Sequence, residues 1–292
     1  MPNTLTISPE RVHQISEIAS SYIQEDKAIL AQFINRYYQS LHSAVADTIS
    51  DVDLAGMALH HYTLVKQYDG QQPSLCLLNP SAEEQHFHST RTVIQMVAYD
   101  RPFLVDTMSM CIEAQGLEVH RIYNTILDVQ RDEHGQITAI ESAEDSDTRH
   151  LSLIHCEIDR IDAQELATLR QALLDKVATL DCVVADWGVM QDRLAQIKEE
   201  LKGQQLPEAY HTSEEIQAFL EWVMNDNFIF LGFREYRLEN GDTVKEGSEA
   251  HLKDELNLIS VGGSGLGILK GGSEDTRSVS YTHLTLPTIL RV

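Results

Sequence analysis

The sequence predicts an α+β chain: an N-terminal helical segment, an antiparallel sheet with helices on one face, and then the start of a second α+β module. Three observations carry this. Apolar residues recur at helical spacing through the first 70 residues. Two runs, Val93–Ala98 and Leu151–Ile158, are apolar on both alternating faces, as in the interior of a covered sheet. Between them Tyr123, Thr125, Leu127 and Val129 alternate with Asn124, Ile126, Asp128 and Gln130, which is the period of a strand with one wetter face.

In chain order, Ser8-Pro9 reads as a helix start, because serine can cap the first turn and proline gives up an N–H not needed there. Val12, Ile15, Ile18, Ala19 and Tyr22 form the first apolar stripe; Leu30, Phe33, Ile34, Tyr37, Tyr38 and Leu41 form the second. Asp51-Val52-Asp53 punctuates the pattern before it resumes over Leu54 to Tyr68, so residues 1–70 read as a helical segment whose aromatic stripe is core. Gly70 to Ser89, carrying Pro73, Asn79 and Pro80, reads as a connection into the sheet. His60, His61, His86 and His88 raise the question of metal. Adjacent histidines on a helix diverge by about 100°, so no converging ligand set, and no metal, is expected.

The sheet domain is placed at 90–202. Asp100-Arg101-Pro102 breaks the first strand, and Leu104, Met108, Cys111 and Ile112 recur at helical spacing over 102–115 until Gly116 stops the helix. The alternating strand follows, with His134-Gly135 closing a hairpin, and then Leu151–Ile158. Asp162 and Glu165 open a helix carried by Leu166, Leu169, Leu173, Val177 and Leu180. A short strand at Cys182–Ala185 and a helix with Trp187, Met190, Leu194, Ile197 and Leu201 complete the unit, and Gly203 to Pro207 opens a linker. This β-α-β-β-α-β order is the ferredoxin-like arrangement: four antiparallel strands within 90–186, the first and third central, with helices 102–115 and 163–180 on one face. A second, incomplete module is placed at 212–277. Thr212 with Glu215 caps a helix bearing Ile216, Phe219, Leu220 and Val223; a strand runs from Phe228 to Leu238; Asn240-Gly241 signals a hairpin. Residues 278–292, SVSYTHLTLPTILRV, hold no acidic residue and read as a non-native tail.

Charge narrows the function classes. Twenty-two basic against 45 acidic residues leave −23, which repels nucleic-acid phosphates and anionic lipid. No apolar run approaches the roughly 20 residues that span a bilayer, and no basic region followed by an apolar core opens the chain, so a cytoplasmic protein is expected. Cys76, Cys111, Cys156 and Cys182 are widely spaced without a CxxC and read as free thiols. The run Gly262-Gly263-Ser264-Gly265-Leu266-Gly267 fails the dinucleotide fingerprint, with Ile268 in the third glycine's place and Gly271-Gly272 blocking a helix, and Lys270 lacks phosphate-loop spacing. It reads as a flexible surface loop. No catalytic, cofactor-binding or metal-ligating set is assigned.

Three stretches, AYDRPFLVDTMSMCIEAQGLEVHRIYNTILDVQRDEHGQI, SLIHCEIDRI and EEIQAFLEWVMNDNFIFLGFREYRL, resemble the N-terminal region of the large bacterial NAD-specific glutamate dehydrogenases, over roughly residues 30 to 270. The resemblance implies regulatory modules of the ACT type, one at 90–202 and the start of another at 212–277. It also implies a catalytic domain downstream in the same chain, where NAD would bind and L-glutamate would be oxidised to 2-oxoglutarate, ammonia and NADH. Residues 1–292 alone are then expected to be inactive and to bind no NAD. The segment Asp100, Arg101, Pro102, Phe103 resembles the DRPG turn of ACT modules and is the candidate regulatory turn, with an amino acid as possible effector. Phe103 stands where glycine is usual and would crowd a ligand's approach to the backbone, so amino acids are expected to bind weakly or not at all. A homo-oligomer is expected. The alternative is a free-standing ACT-like protein that senses amino acids or mediates assembly.

Overall fold

The computed structural model describes residues 6–39, 41–142, 150–202, 212–238 and 258–270. The backbone divides into two units, Met1–Ala178 and Thr179–Val292. The first begins with helices α1 (Pro9–Ser21), α2 (Lys27–Tyr37), α3 (Ser43–Ala46) and α4 (Asp51–Gln67). Ser8 caps α1 by accepting from the Arg11 N–H, with Pro9 in the first turn, as the sequence implied. The Arg11 guanidinium then donates to Asp51 and Asp47 and to the carbonyls of Ala46 and Ile49, tying α1 to the turn between α3 and α4.

Strand β1 (Ser74–Leu78) and the single-turn α5 (Ala82–Gln85) follow, then β2 (Thr92–Tyr99), α6 (Leu104–Glu113), β3 (Val119–Arg131), β4 (Ile137–Ser142) and β5 (Leu151–Ile158). The five strands form one antiparallel sheet in the order β1-β2-β5-β3-β4. The two doubly apolar strands, β2 and β5, lie side by side in the middle, and β3 and β4 form the hairpin turning at Gly135, where φ is +79°.

Side chains alternate across a sheet, and here both faces are covered. The face bearing Val97, Leu151, Leu153 and Leu127 shares one core with Ile15, Leu30, Phe33, Tyr37, Leu54 and Val65 of the N-terminal helices. The helical segment and the sheet are therefore built around common apolar surface. On the opposite face Ile94, Met96, Ala98, Ile154, Cys156 and Ile158 are equally buried. The stripes Leu104, Met108, Cys111 and Ile112 of α6, and Leu169, Leu173 and Val177 of the next helix, are buried outside the first core and close this second face.

Two expectations are corrected. Cys182–Ala185 is no strand: it lies inside α7 (Ala163–Glu200), one helix of 38 residues. The buried series Leu173, Val177, Leu180, Val183 keeps helical spacing straight through the segment, and no turn residue interrupts it, so a two-valine preference for sheet is overridden. The edge position beside β2 goes instead to β1, in the stretch read as connection. The sheet thus has five strands where four within 90–186 were expected: β2, β5 and β3 keep the relative order expected of the first, third and second strands, and β1 and β4 flank them.

In the second unit, α7 continues from Thr179, and α8 (Ser213–Trp222) opens with the Thr212–Glu215 capping box that the sequence signalled. A π-helical turn (Val223–Asn227) leads to two small ribbons, β6 (Gly232–Phe233) with β9 (Leu266–Gly267), and β7 (Tyr236–Leu238) with β8 (Leu258–Ser260). The Asn240-Gly241 hairpin, the Gly203 to Pro207 linker and the 278–292 tail lie outside the described residues. No helix among the described residues is long and apolar enough to cross a membrane.

Candidate regulatory site

The turn from β2 to α6 is where Asp100, Arg101, Pro102 and Phe103 sit. The Asp100 N–H donates to the His150 carbonyl, and Arg101 Nη1 donates to the Tyr99 carbonyl at 2.7 Å, so the turn is fastened to the end of the sheet. Tyr99 in turn meets Tyr68 edge-on at 5.7 Å. Asp100, Pro102 and Phe103 are exposed, Phe103 by 43%. Phe103 has φ +65° and ψ 11°, the left-handed conformation, and its carbonyl accepts the Thr107 N–H to start α6. None of the four residues lines the cavity of about 360 Å³ among Gln115, Leu117, Asp162, Glu165 and Thr168, nor that of about 320 Å³ beside Ile23, Asp26, Tyr62 and Lys66.

The backbone at Phe103 is the one a glycine would take without strain. A side chain there costs about 1–2 kcal/mol, part of which glycine returns through its freer unfolded chain. Phe103→Gly should therefore raise stability by about 0.5–1 kcal/mol, or about 1–4 °C in melting temperature for a unit this size. Phe103→Ala, which keeps the strain, should give no rise. Thermal unfolding followed by circular dichroism decides it, and a fall with glycine would mean that the exposed ring packs productively.

A second polar constellation lies between α4 and the sheet. Gln95 of β2 stands directly opposite His155 of β5, which stands directly opposite Tyr123 of β3. Gln95 and His155 are fully buried. The Gln95 amide donates to the Met57 carbonyl at 3.0 Å and to His155 Nδ1 at 3.3 Å, while its oxygen accepts from His60 Nδ1 at 2.6 Å. With Nδ1 accepting, the His155 proton is on Nε2, 3.7 Å from Glu157 Oε1. Glu157 accepts from Arg121 Nη1 at 2.7 Å, and Tyr123 stacks on His155 at 4.7 Å. Burial pushes the His155 imidazole below its ordinary value against the pull of Glu157. Burial alone would raise the Glu157 carboxyl, but His155 and Arg121 together hold it below the usual carboxylate range.

His61, the next residue of α4, also reaches β2 but meets different groups. Its Nε2–H donates to the Met96 carbonyl at 3.1 Å, which leaves Nδ1 to accept from the Tyr37 hydroxyl at 2.8 Å. Burial, with His155 and His60 nearby, lowers its pKa to about 3. His61 thus serves as a neutral hydrogen-bonding partner, His60 and His61 make separate contacts, and no group of three or more His, Cys, Asp or Glu among the described residues is placed to hold a metal. Sequence reasoning took β2 and β5 as purely apolar and passed over this constellation. The available signal was the polar residues set inside each apolar run, Gln95 in TVIQMVAY and His155 with Glu157 in LSLIHCEI.

The glycine run does not fit a dinucleotide. Gly262 and Gly263 are on the surface, but the later part is a packed turn, where a flexible loop was expected. A Cβ on Gly265 would meet the Leu269 carbonyl oxygen at 2.3 Å, and one on Gly267 the Leu231 oxygen at 2.2 Å. The Gly267 N–H donates to Asp186 at 2.8 Å, and Lys270 Nζ lies 2.9 Å from the same carboxylate. The donors a pyrophosphate would need are held by an anion, and that anion would repel it.

Comparison with known proteins places this geometry. Residues 33–173, from within α2 to the first turns of α7, match the model of the glutamate dehydrogenase ACT1 domain. The chain is 33% identical over 233 residues to an NAD-specific glutamate dehydrogenase of Halomonas elongata, and 28% identical over 231 residues to one of Pseudomonas aeruginosa. A third, from Mycobacterium tuberculosis, is 23% identical over 186 residues. The alignments cover 77%, 77% and 61% of this chain but only 14%, 14% and 10% of those relatives, so the chain spans about a seventh of the length of the first two. With an ACT1 domain at residues 33–173 and this likeness beyond it, the chain belongs with the N-terminal, ACT-bearing region of the large NAD-specific glutamate dehydrogenases.

Proposed function

We propose that this chain is the regulatory and assembly front of an NAD-dependent glutamate dehydrogenase, whose oxidation of L-glutamate to 2-oxoglutarate, ammonia and NADH is carried out by the rest of the polypeptide. The observation that carries the reading is the ACT1 match joined to relatives of which this stretch makes up only 14%. The misfit of the glycine run to a dinucleotide supports placing NAD outside residues 1–292. The exposed Asp100–Phe103 turn is the element through which an amino-acid effector or a neighbouring subunit would act. We infer a cytoplasmic setting, supported by four cysteines that stand as free thiols.

The test compares two proteins. Purified 1–292 should generate no NADH from glutamate and NAD and show no saturable NAD binding. The longer gene product should turn over, and deleting residues 33–173 from it should change its response to added amino acids, or its oligomeric state, more than its kcat. Saturable NAD reduction by 1–292 that survives repurification would overturn the reading. So would a deletion that leaves effector response and assembly untouched.

A further inference from the structure

Two features of the second unit belong together. Its described core is small: Leu180, Val183, Met190 and Val223 are its buried apolar side chains, and its ribbons are two or three residues long. Yet a run of large apolar side chains faces water. Phe219 is 57% exposed, Trp222 49%, Phe228 44% and Ile229 51%. Phe219, Trp222 and Phe228 form one surface, since Phe219 stacks on Trp222 at 6.2 Å and Trp222 meets Phe228 edge-on at 5.5 Å. Helix α8 shows how this arises. Val223 just beyond its end is buried and Ile216 and Leu220 are half-buried, while Phe219 and Trp222, one turn apart, carry the same apolar arc round onto the exposed side, so the arc is wider than the unit covers. An apolar arc that runs beyond the covered face leaves surface for a further partner. Phe228 continues the surface as extended backbone, φ −138° and ψ 149°, and the segment from Phe228 to Phe230 lies outside both ribbons, which Leu231 meets through its carbonyl and the Ile268 N–H.

Exposed aromatic side chains at this density, with Trp222 in contact with both Phe219 and Phe228, have the make-up of an interface core. What covers it follows from chain length. The aligned stretch is 77% of this chain and 14% of its Halomonas relative, so by far the larger part of such a polypeptide lies outside residues 1–292 and is tethered to this surface at high effective concentration. We propose that the Phe219–Trp222–Phe228 surface is the docking face for an apolar segment of the same polypeptide beyond residue 292, which completes the core of the second unit. This rests on the reading of the chain as the front of a longer enzyme.

The longer gene product, carrying the photo-reactive amino acid benzoylphenylalanine at position 219 or 228, is the protein to test. Its glutamate-dependent reduction of NAD is measured first, which judges the functional reading by itself. After irradiation, peptide mapping should find cross-links within one chain to residues beyond 292, at least about fivefold above all others, as a central aromatic anchor requires. Cross-links between two chains would make the surface a subunit contact and overturn the proposal. Cross-links confined to 239–257 or 271–292 would overturn it too, by showing that the chain covers its own surface. Absence of cross-links at both positions would show that the surface stays in water.

Discussion

Lowering the pH from about 7.5 to about 4.5 should cost the first unit about 3 kcal/mol through His61 alone, which is about 6–12 °C in melting temperature. The imidazole is held neutral in the fold, with a pKa of about 3, against an ordinary 6.5 in the unfolded chain. A group depressed in this way takes up its proton in the unfolded state first. Its contribution is complete above pH 6.5 and drains away between there and about 3. His155, depressed by the same burial, and Glu157, whose carboxylate is held ionised in the fold, act in the same direction as pH falls. The structural reason is burial: a protonated His61 would give up its hydration, and the one Tyr37 hydroxyl beside Nδ1, even turned to accept, cannot repay it. Urea unfolding of 1–292 across this range measures the effect, with His61→Gln as control. A glutamine amide can donate to the Met96 carbonyl and accept from Tyr37 without titrating, so its pH profile should be much flatter. Equal profiles for the two proteins would show that the acid dependence arises elsewhere.

Gly56→Ala should be nearly as damaging, at about 2–3 kcal/mol, although alanine is the better helix former. A Cβ at this position in α4 would lie 2.3 Å from the His86 carbonyl oxygen, 2.5 Å from its carbon and 2.9 Å from Phe87 Cβ. The obstacle is mostly backbone, which cannot swing aside as a long side chain would. Phe87 behind it is buried with Met57 and Val93, so relief by moving the segment would open that cluster. Gly188 in α7 supplies the contrast, because a Cβ there meets nothing within 4 Å. Gly188→Ala should stabilise its helix by about 0.5–1 kcal/mol. Paired melting curves test both signs together, and a Gly56→Ala protein as stable as the parent would show that α4 and the His86 turn separate at little cost.

These two glycines mark what the sequence could and could not disclose. Local signals were readable: the Ser8-Pro9 start, the Gly135 turn, the Thr212–Glu215 box and the paired doubly apolar strands all stand where their chemistry put them. What depended on distant partners was not. Strand β1 is five residues between Pro73 and Pro80, and only its pairing with β2 makes it a strand. Val183 and Val184 favour sheet in isolation, but a helix already running for five turns carries them along. Of the candidate turn, the sequence located the break at Asp100-Arg101-Pro102 and the oddity of Phe103, though not its left-handed backbone. The buried constellation escaped because its members, Tyr37, His61, Gln95, His155 and Glu157, come from four elements and touch only after the helices have settled on the sheet.

The Gln95–His155 pair also answers a question that apolar strands pose to a folding chain. When two neighbouring strands are oily on both sides, sliding one along the other exchanges grease for grease, and hydrophobicity alone says little about where to stop. Moving β5 by one residue would turn His155 to the side of α6 and α7. Moving it by two would keep the side but draw the imidazole away from the Gln95 amide. Either error strands buried polar atoms at a cost of about 1–3 kcal/mol each. One amide and one imidazole, facing each other across the middle of the sheet, thus act as an alignment mark that the surrounding valines, isoleucines and leucines cannot supply.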